Sequence, residues 1–239
     1  MTVEIFRAAS ESGELRPTDI SLPDLYDHVM ANGTAIIRGC FRPEQLGTLR
    51  DAVHAWGAQV PMHPPQTYVD ENFHAFEAGI SPRQKTPHVY HAFNFYRPLD
   101  LDENIRSPLL DVFNRLLEFQ NALTSNQAGF VADPQGRKAR PQIIHYPSGG
   151  GMFGRHTHPL EPQRIGLILG LSKRGQDFQS GSTHFESNGQ AYGTEDSHDQ
   201  GDLLLFRFDI PHWITAVDQG LKFDPQSQNG RWTAVLPYY

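Results

Sequence analysis

Two histidines one residue apart, a third histidine beside a proline, and a late arginine carry most of the chemistry readable in this chain. The pair lies in Tyr146-Pro147-Ser148-Gly149-Gly150-Gly151-Met152-Phe153-Gly154-Arg155-His156-Thr157-His158-Pro159. Residues two apart on a strand point to the same face, so the imidazoles of His156 and His158 can converge on one point. Downstream, Gly201-Asp202-Leu203-Leu204-Leu205-Phe206 reads as a strand, the chain turns at Pro211, and His212 begins the next strand. Finally, Gly230-Arg231-Trp232-Thr233-Ala234-Val235 puts Arg231 on one face with Thr233 and Val235, a guanidinium beside β-branched, barrel-like filling. With 12 histidines against a single cysteine, any transition-metal site must be built from imidazole and carboxylate.

The elements that must position these groups are short. After Pro141 the β-like runs 142–146, 164–172, 182–186, 202–208, 213–217 and 231–239 follow one another, separated by Gly, Pro, Asn or Asp. Such a series predicts a sandwich or barrel. Ahead of it stands a helical and loop preface. Ser21 caps a helix through Leu25, Tyr26, Val29 and Met30 that Asn32-Gly33 stops, and Thr34 to Arg38 reads as a strand. Pro43 opens a helix carrying Leu46, Leu49, Val53 and Trp56, with Gly57 behind them, and Ser107-Pro108 starts a third helix that runs toward Thr124. Between them, 61–98 shows no clean periodicity and mixes prolines with His63, Tyr68, Phe73, His74, Phe76, His88, Tyr90, His91, Phe93, Phe95 and Tyr96. It reads as a long aromatic loop, either an irregular wall of the core or a lid facing substrate. The expected organisation is one catalytic domain over 1–239, with 1–140 as support and lid and 141–239 as the metal-bearing β core.

Composition excludes several functions. A net charge of −7 lacks the basic face of a phosphate-backbone binder, so no nucleic-acid partner is expected. No apolar run approaches the roughly 18 residues of a membrane span, and the first residues lack the apolar stretch of a signal peptide. Cys40 stands alone, so neither an internal disulfide nor a thiolate zinc site can form, and a cytoplasmic setting is expected. The run Gly149-Gly150-Gly151 lacks the Lys-Ser/Thr ending of a phosphate loop and opens no helix.

Taken together, the Tyr-Pro-Ser-Gly-Gly lead-in, the His-Thr-X-Pro step, the Gly-Asp-Leu-Leu-Leu-Phe…Pro-His pairing and the late arginine resemble the Fe(II)/2-oxoglutarate-dependent dioxygenases, in that family's order. The resemblance covers about the last hundred residues, with 221–230 reading as an inserted loop. It implies a mainly β fold with supporting helices around a double-stranded β-helix (jelly-roll, cupin-like) core. It also implies Fe(II) held by His156, His158 and His212, and 2-oxoglutarate whose distal carboxylate Arg231 grips as a bidentate fork. Tyr146 either adds a hydroxyl to that carboxylate or packs; Thr183 is a further cofactor-binding candidate, with His184 beside it, while His145 points to the opposite face from Tyr146. The implied reaction joins O2, a small-molecule substrate and 2-oxoglutarate, and yields succinate, carbon dioxide and an oxidised C–H bond.

The chain departs from that family at one ligand. His158 stands where the family has a carboxylate, which makes three neutral imidazoles and one more positive charge on the metal site. Glu161, three positions on, supplies a carboxylate instead if the chain bends at Pro159. Two rivals follow: a three-histidine oxygenase that binds substrate directly on the metal without 2-oxoglutarate, and a catalytically silent β-barrel that binds a small ligand.

Overall fold

In the computed structural model, which describes residues 3–8, 15–65, 69–81, 84–187 and 189–239, local sequence signals set the first elements. Strand β1 (Glu4–Arg7) precedes helix α1 (Leu22–Asn32), where the Ser21 hydroxyl accepts the Asp24 amide at 3.2 Å and Gly33 closes the helix at φ 93°. Strand β2 (Thr34–Arg38) follows, then helix α2 (Pro43–Gln59), which buries Leu46, Leu49 and Val53. Gly57 does not stop α2. It lies inside the helix, where a Cβ would sit 2.7 Å from the Phe93 ring.

The segment 61–98 is not an aromatic loop. Strands β3 (Asn72–Ile80) and β4 (Pro87–Phe95) form a nine-residue antiparallel hairpin, paired from Asn72–Phe95 to Ile80–Pro87. Its period was hidden because both faces are covered. His91, Phe93 and Phe95 pack on one side, where Phe95 meets Trp56 of α2, while His88 and Tyr90 turn to the other against Phe153. Tyr68 lies outside the described residues. Helix α3 (Glu103–Thr124) begins a turn earlier than Ser107-Pro108 suggests. Burial of Ile105 holds the first turn in place, and the absent N–H of Pro108 removes only one hydrogen bond.

The remaining strands are β5 (Gln142–Pro147), β6 (Met152–His156), β7 (Ile165–Gly170), β8 (Thr183–Ser187), β9 (Gln190–Gly193), β10 (Leu203–Arg207), β11 (His212–Ile214) and β12 (Gly230–Val235). The run 213–217 is therefore strand only to Ile214, and 231–239 only to Val235. Among the described residues the strands hydrogen-bond in the order β1-β2-β10-β7-β12-β5-β4-β6-β11-β8-β9, with β3 on β4. The sheet curls into a double-stranded β-helix. One wall runs from β1 to β3, the other is β6-β11-β8-β9, and β4 joins them by pairing with both β5 and β6. Four strands of the larger wall thus come from the N-terminal part, which the sequence presented as mostly helix and loop.

Two cores result. Between the walls lie Ile36, Ile168, Phe185, Leu204 and Phe206, with Ile144, Tyr146 and Ile214 next to them. Behind the larger wall, Ile37, Leu203, Leu205, Trp232 and Ala234 pack on the three helices. A strand buried on both faces is an unbroken apolar run, as Leu203-Leu204-Leu205-Phe206 is.

Candidate metal centre

His156 ends β6 and His212 begins β11, and the two are direct register partners across an antiparallel pair. Their rings stand 4.2 Å apart. His158 lies beyond the end of β6, so it does not reach this point by strand alternation as the sequence suggested. It comes from the following segment and stacks on Phe208 at 4.4 Å with the planes 10° apart. One ligand atom from each of His156, His158 and His212 lies within 4.8 Å of the others, a spacing that can hold a metal ion.

Backbone carbonyls set two of the three rings. His156 Nδ1 lies 2.9 Å from the Gly154 carbonyl and His212 Nδ1 lies 3.0 Å from the Ile210 carbonyl. A carbonyl only accepts, so each Nδ1 carries the proton and each Nε2 keeps the lone pair a metal needs. Gly154 permits this approach, since a Cβ there would collide with the Thr86 hydroxyl and the Pro87 carbonyl. Phenylalanines flank each imidazole: Phe153 stacks on His156 at 4.1 Å and Phe206 tilts against His212 at 4.6 Å. Burial, ahead of any neighbour's charge, keeps all three imidazoles neutral; His158 is pushed down to about 4, with His156 adding to the effect, and His212 lies well below the usual range.

Glu161 does not join the centre. Its carboxylate is largely exposed and pairs with Arg164 Nε at 2.9 Å.

Arg231 sits deeper in the barrel, only 4% exposed, opposite Tyr146 in the β5–β12 register. Its Nη2 donates to the Thr183 hydroxyl at 2.7 Å, which brings together three residues distant in sequence. Its Nη1 has no hydrogen-bond partner among the described residues. Burial lowers the guanidinium to about 10, and Tyr146 pulls the other way. A buried cation with an unused N–H beside two hydroxyl-bearing side chains is a cradle for an anion. His184 faces away from this point and stacks on Trp213, and His145 occupies the outer face of β5, where it stacks on Trp232.

A cavity of about 120 Å³ adjoins the imidazoles, and its lining descends through Ile144 and Ile214 to Tyr146. Sequence reasoning overlooked the supporting rings Phe153, Phe206 and Phe208. Their signal was present: 206 and 208 are two apart, and Phe153 precedes His156 in the motif itself.

The fold matches known structures. An oxidoreductase of the 2OG-Fe(II) oxygenase family from Burkholderia pseudomallei superposes over 100% of this chain and 95% of its own, with a TM-score of 0.58 at 13% identity. The fold is that of the 2OG-Fe(II) oxygenases. A Pseudomonas putida prolyl-4-hydroxylase shares this fold over 91% of the chain and 98% of its own (TM-score 0.57, 14% identity). So does a prolyl hydroxylase from Trichoplax adhaerens, solved with a peptide fragment of the hypoxia inducible factor oxygen degradation domain, over 91% and 90% (TM-score 0.52, 16% identity). No family model matches the sequence, and no curated protein matches it. Among the described residues no helix is long and apolar enough to cross a membrane.

Proposed function

We propose that this chain is a non-haem iron oxygenase that uses 2-oxoglutarate and O2 to oxidise a small-molecule substrate. The observation that carries this reading is one barrel holding both a convergent imidazole trio and, deeper, a buried arginine with an unused N–H. His156, His158 and His212 would hold Fe(II). The donor set fits: two Nε2 lone pairs are fixed by backbone carbonyls, and the third ring is held by Phe208. Iron there supplies the redox chemistry that links 2-oxoglutarate decarboxylation to oxidation of a C–H bond.

The remaining work falls to side chains of this chain. Arg231 binds the distal carboxylate through Nη1, with Thr183 fixing the orientation of the guanidinium and the Tyr146 hydroxyl alongside. Ile144, Ile214 and the phenylalanines keep water away from the reacting end, which strengthens every charge interaction in the cavity. The lone Cys40 is buried and its thiol pushed up to about 12, chiefly by burial, which suits a reducing cytoplasm.

One observation favours a second reading. The trio contains no carboxylate, a set that also serves oxygenases that bind substrate directly on the metal; Arg231 would then hold a substrate carboxylate. Anaerobic Fe(II) reconstitution with and without 2-oxoglutarate separates the two. A visible charge-transfer band that requires 2-oxoglutarate, followed by succinate once oxygen is admitted, is the expected result. Iron binding without that band and without succinate supports the second reading, and a protein that binds no iron removes both.

A further inference from the structure

On the opposite face of the larger wall from the imidazole trio lies a second cavity, of about 230 Å³. It is enclosed by the end of α2, the outer faces of β4, β5 and β12, and residues 225–227. Beneath it lies a set of rings stacked on one another, with Trp232 and Phe93 fully buried and the half-buried His91 nearest the opening. His145 stacks on Trp232 at 4.2 Å, His91 stacks on Phe93 at 4.2 Å, and Phe93 stacks on Trp232 at 5.7 Å.

The polar atoms of this floor have their protons assigned by the backbone. His74 Nε2 lies 2.8 Å from the Val60 carbonyl, which only accepts, so in the neutral ring Nδ1 is a lone pair. That lone pair faces His91 Nε2 at 2.8 Å, so His91 Nε2 carries the proton and His91 Nδ1 is left as a lone pair. His145 Nε2 lies 3.1 Å from the Asn229 carbonyl, so His145 Nδ1 is a lone pair too. Residues 91 and 145 are direct register partners on β4 and β5. Neither Nδ1 has a hydrogen-bond partner among the described residues, although His145 is only 2% exposed.

The cavity therefore offers two acceptors that the protein does not satisfy, set over closely stacked rings. No Asp, Glu, Lys or Arg lines it among the described residues. An anion would meet imidazole lone pairs with no cation to offset them. We propose that this cavity is a second small-molecule site, which takes a flat, uncharged aromatic ring bearing an N–H or O–H donor. The ring enters beside the exposed Ala58 and Met62, packs on the half-buried His91, and its donor bonds to His91 or His145 Nδ1. Nothing in this assignment depends on what the metal centre does.

The test is a fluorine NMR titration of the full-length protein with 4-fluorophenol, 4-fluorotoluene and 4-fluorobenzoate. The phenol should bind about tenfold more tightly than the toluene, and the benzoate should not bind. His91→Phe and His145→Phe keep a flat ring but remove the lone pair, and together they should reduce the phenol's preference to twofold or less. Ala58→Trp, at an exposed position on the cavity wall, leaves both imidazoles intact and should block all binding by filling the space. Equal affinity for phenol and toluene, binding of benzoate as tight as phenol, or full phenol binding in Ala58→Trp would each overturn the proposal.

Discussion

Replacing Arg231 by Met should separate stability from function in opposite directions. The guanidinium is buried, it pairs with no carboxylate among the described residues, and burial lowers it from 12.5 to about 10. At 1.36 kcal/mol per pK unit that displacement corresponds to about 3 kcal/mol of charge held out of water in the ligand-free protein. Met fills a similar volume without that cost, and the main loss is the 2.7 Å bond to Thr183, worth about 1 kcal/mol. Urea unfolding should therefore find Arg231→Met as stable as the parent or up to about 2 kcal/mol more stable. The same change removes the charge-assisted contact that Nη1 makes with 2-oxoglutarate, worth about 2–4 kcal/mol, or about 30- to 1,000-fold in affinity. Calorimetry with Fe(II)-loaded protein reads that loss, and the thermal shift given by 2-oxoglutarate should vanish with it. An unchanged 2-oxoglutarate affinity would move the anchor elsewhere. A variant less stable by more than 2 kcal/mol would show that Arg231 is a structural group and refute the reasoning.

Other outcomes follow from the same geometry. His156→Ala and His212→Ala should each abolish stoichiometric iron binding, measured by metal analysis after reconstitution; full occupancy in both would remove them as ligands. His158→Asp restores a carboxylate at the third position and should raise succinate produced per enzyme if the chain uses 2-oxoglutarate, whereas a direct-binding oxygenase should lose activity with no succinate from either protein. His91, His145 and His198 are held neutral chiefly by burial, at about 3, 4 and 3, against roughly 6.5 in an unfolded chain. The unfolded state binds more protons between these values, so stability should be full above pH 6.5 and fall toward pH 4 by up to about 4 kcal/mol per pH unit. Denaturant midpoints at pH 8, 6 and 5 check this, and a flat profile contradicts it.

How much of this was legible beforehand depended on how local each signal was. His212 and Arg231 stood out because each sits at a strand end directly after Pro211 or Gly230, and His156 because it ends a strand between Gly154 and Pro159. Arg231 and Thr183 are different. Both were named from the sequence, but their contact joins residues 48 apart and only the closed barrel creates it. The β3–β4 hairpin escaped notice because polar and aromatic side chains alternate with each other on two covered faces, which leaves no apolar period to read. His158 reaches the other two imidazoles by a route other than strand alternation. The strand ends at His156, and the stacking surface of Phe208, fifty residues on, orients the last imidazole.

The pairing of β2 with β10 also has a consequence for how this protein is made. Leu203 to Phe206 lie against Ile37 to Thr34, and Arg38 reaches the Ser197 carbonyl across 159 residues of chain. During synthesis, at about 5–20 residues per second, the first two strands emerge roughly 8–30 s before the strand that completes their sheet. Through that interval β2, with Thr34 to Ile37 all destined for burial, presents an open edge of the kind that recruits other chains. Helix α1 leaves the ribosome just before it and α2 just after, and both share its apolar face in the finished core, so early docking of these helices is the natural shield for a strand that must wait.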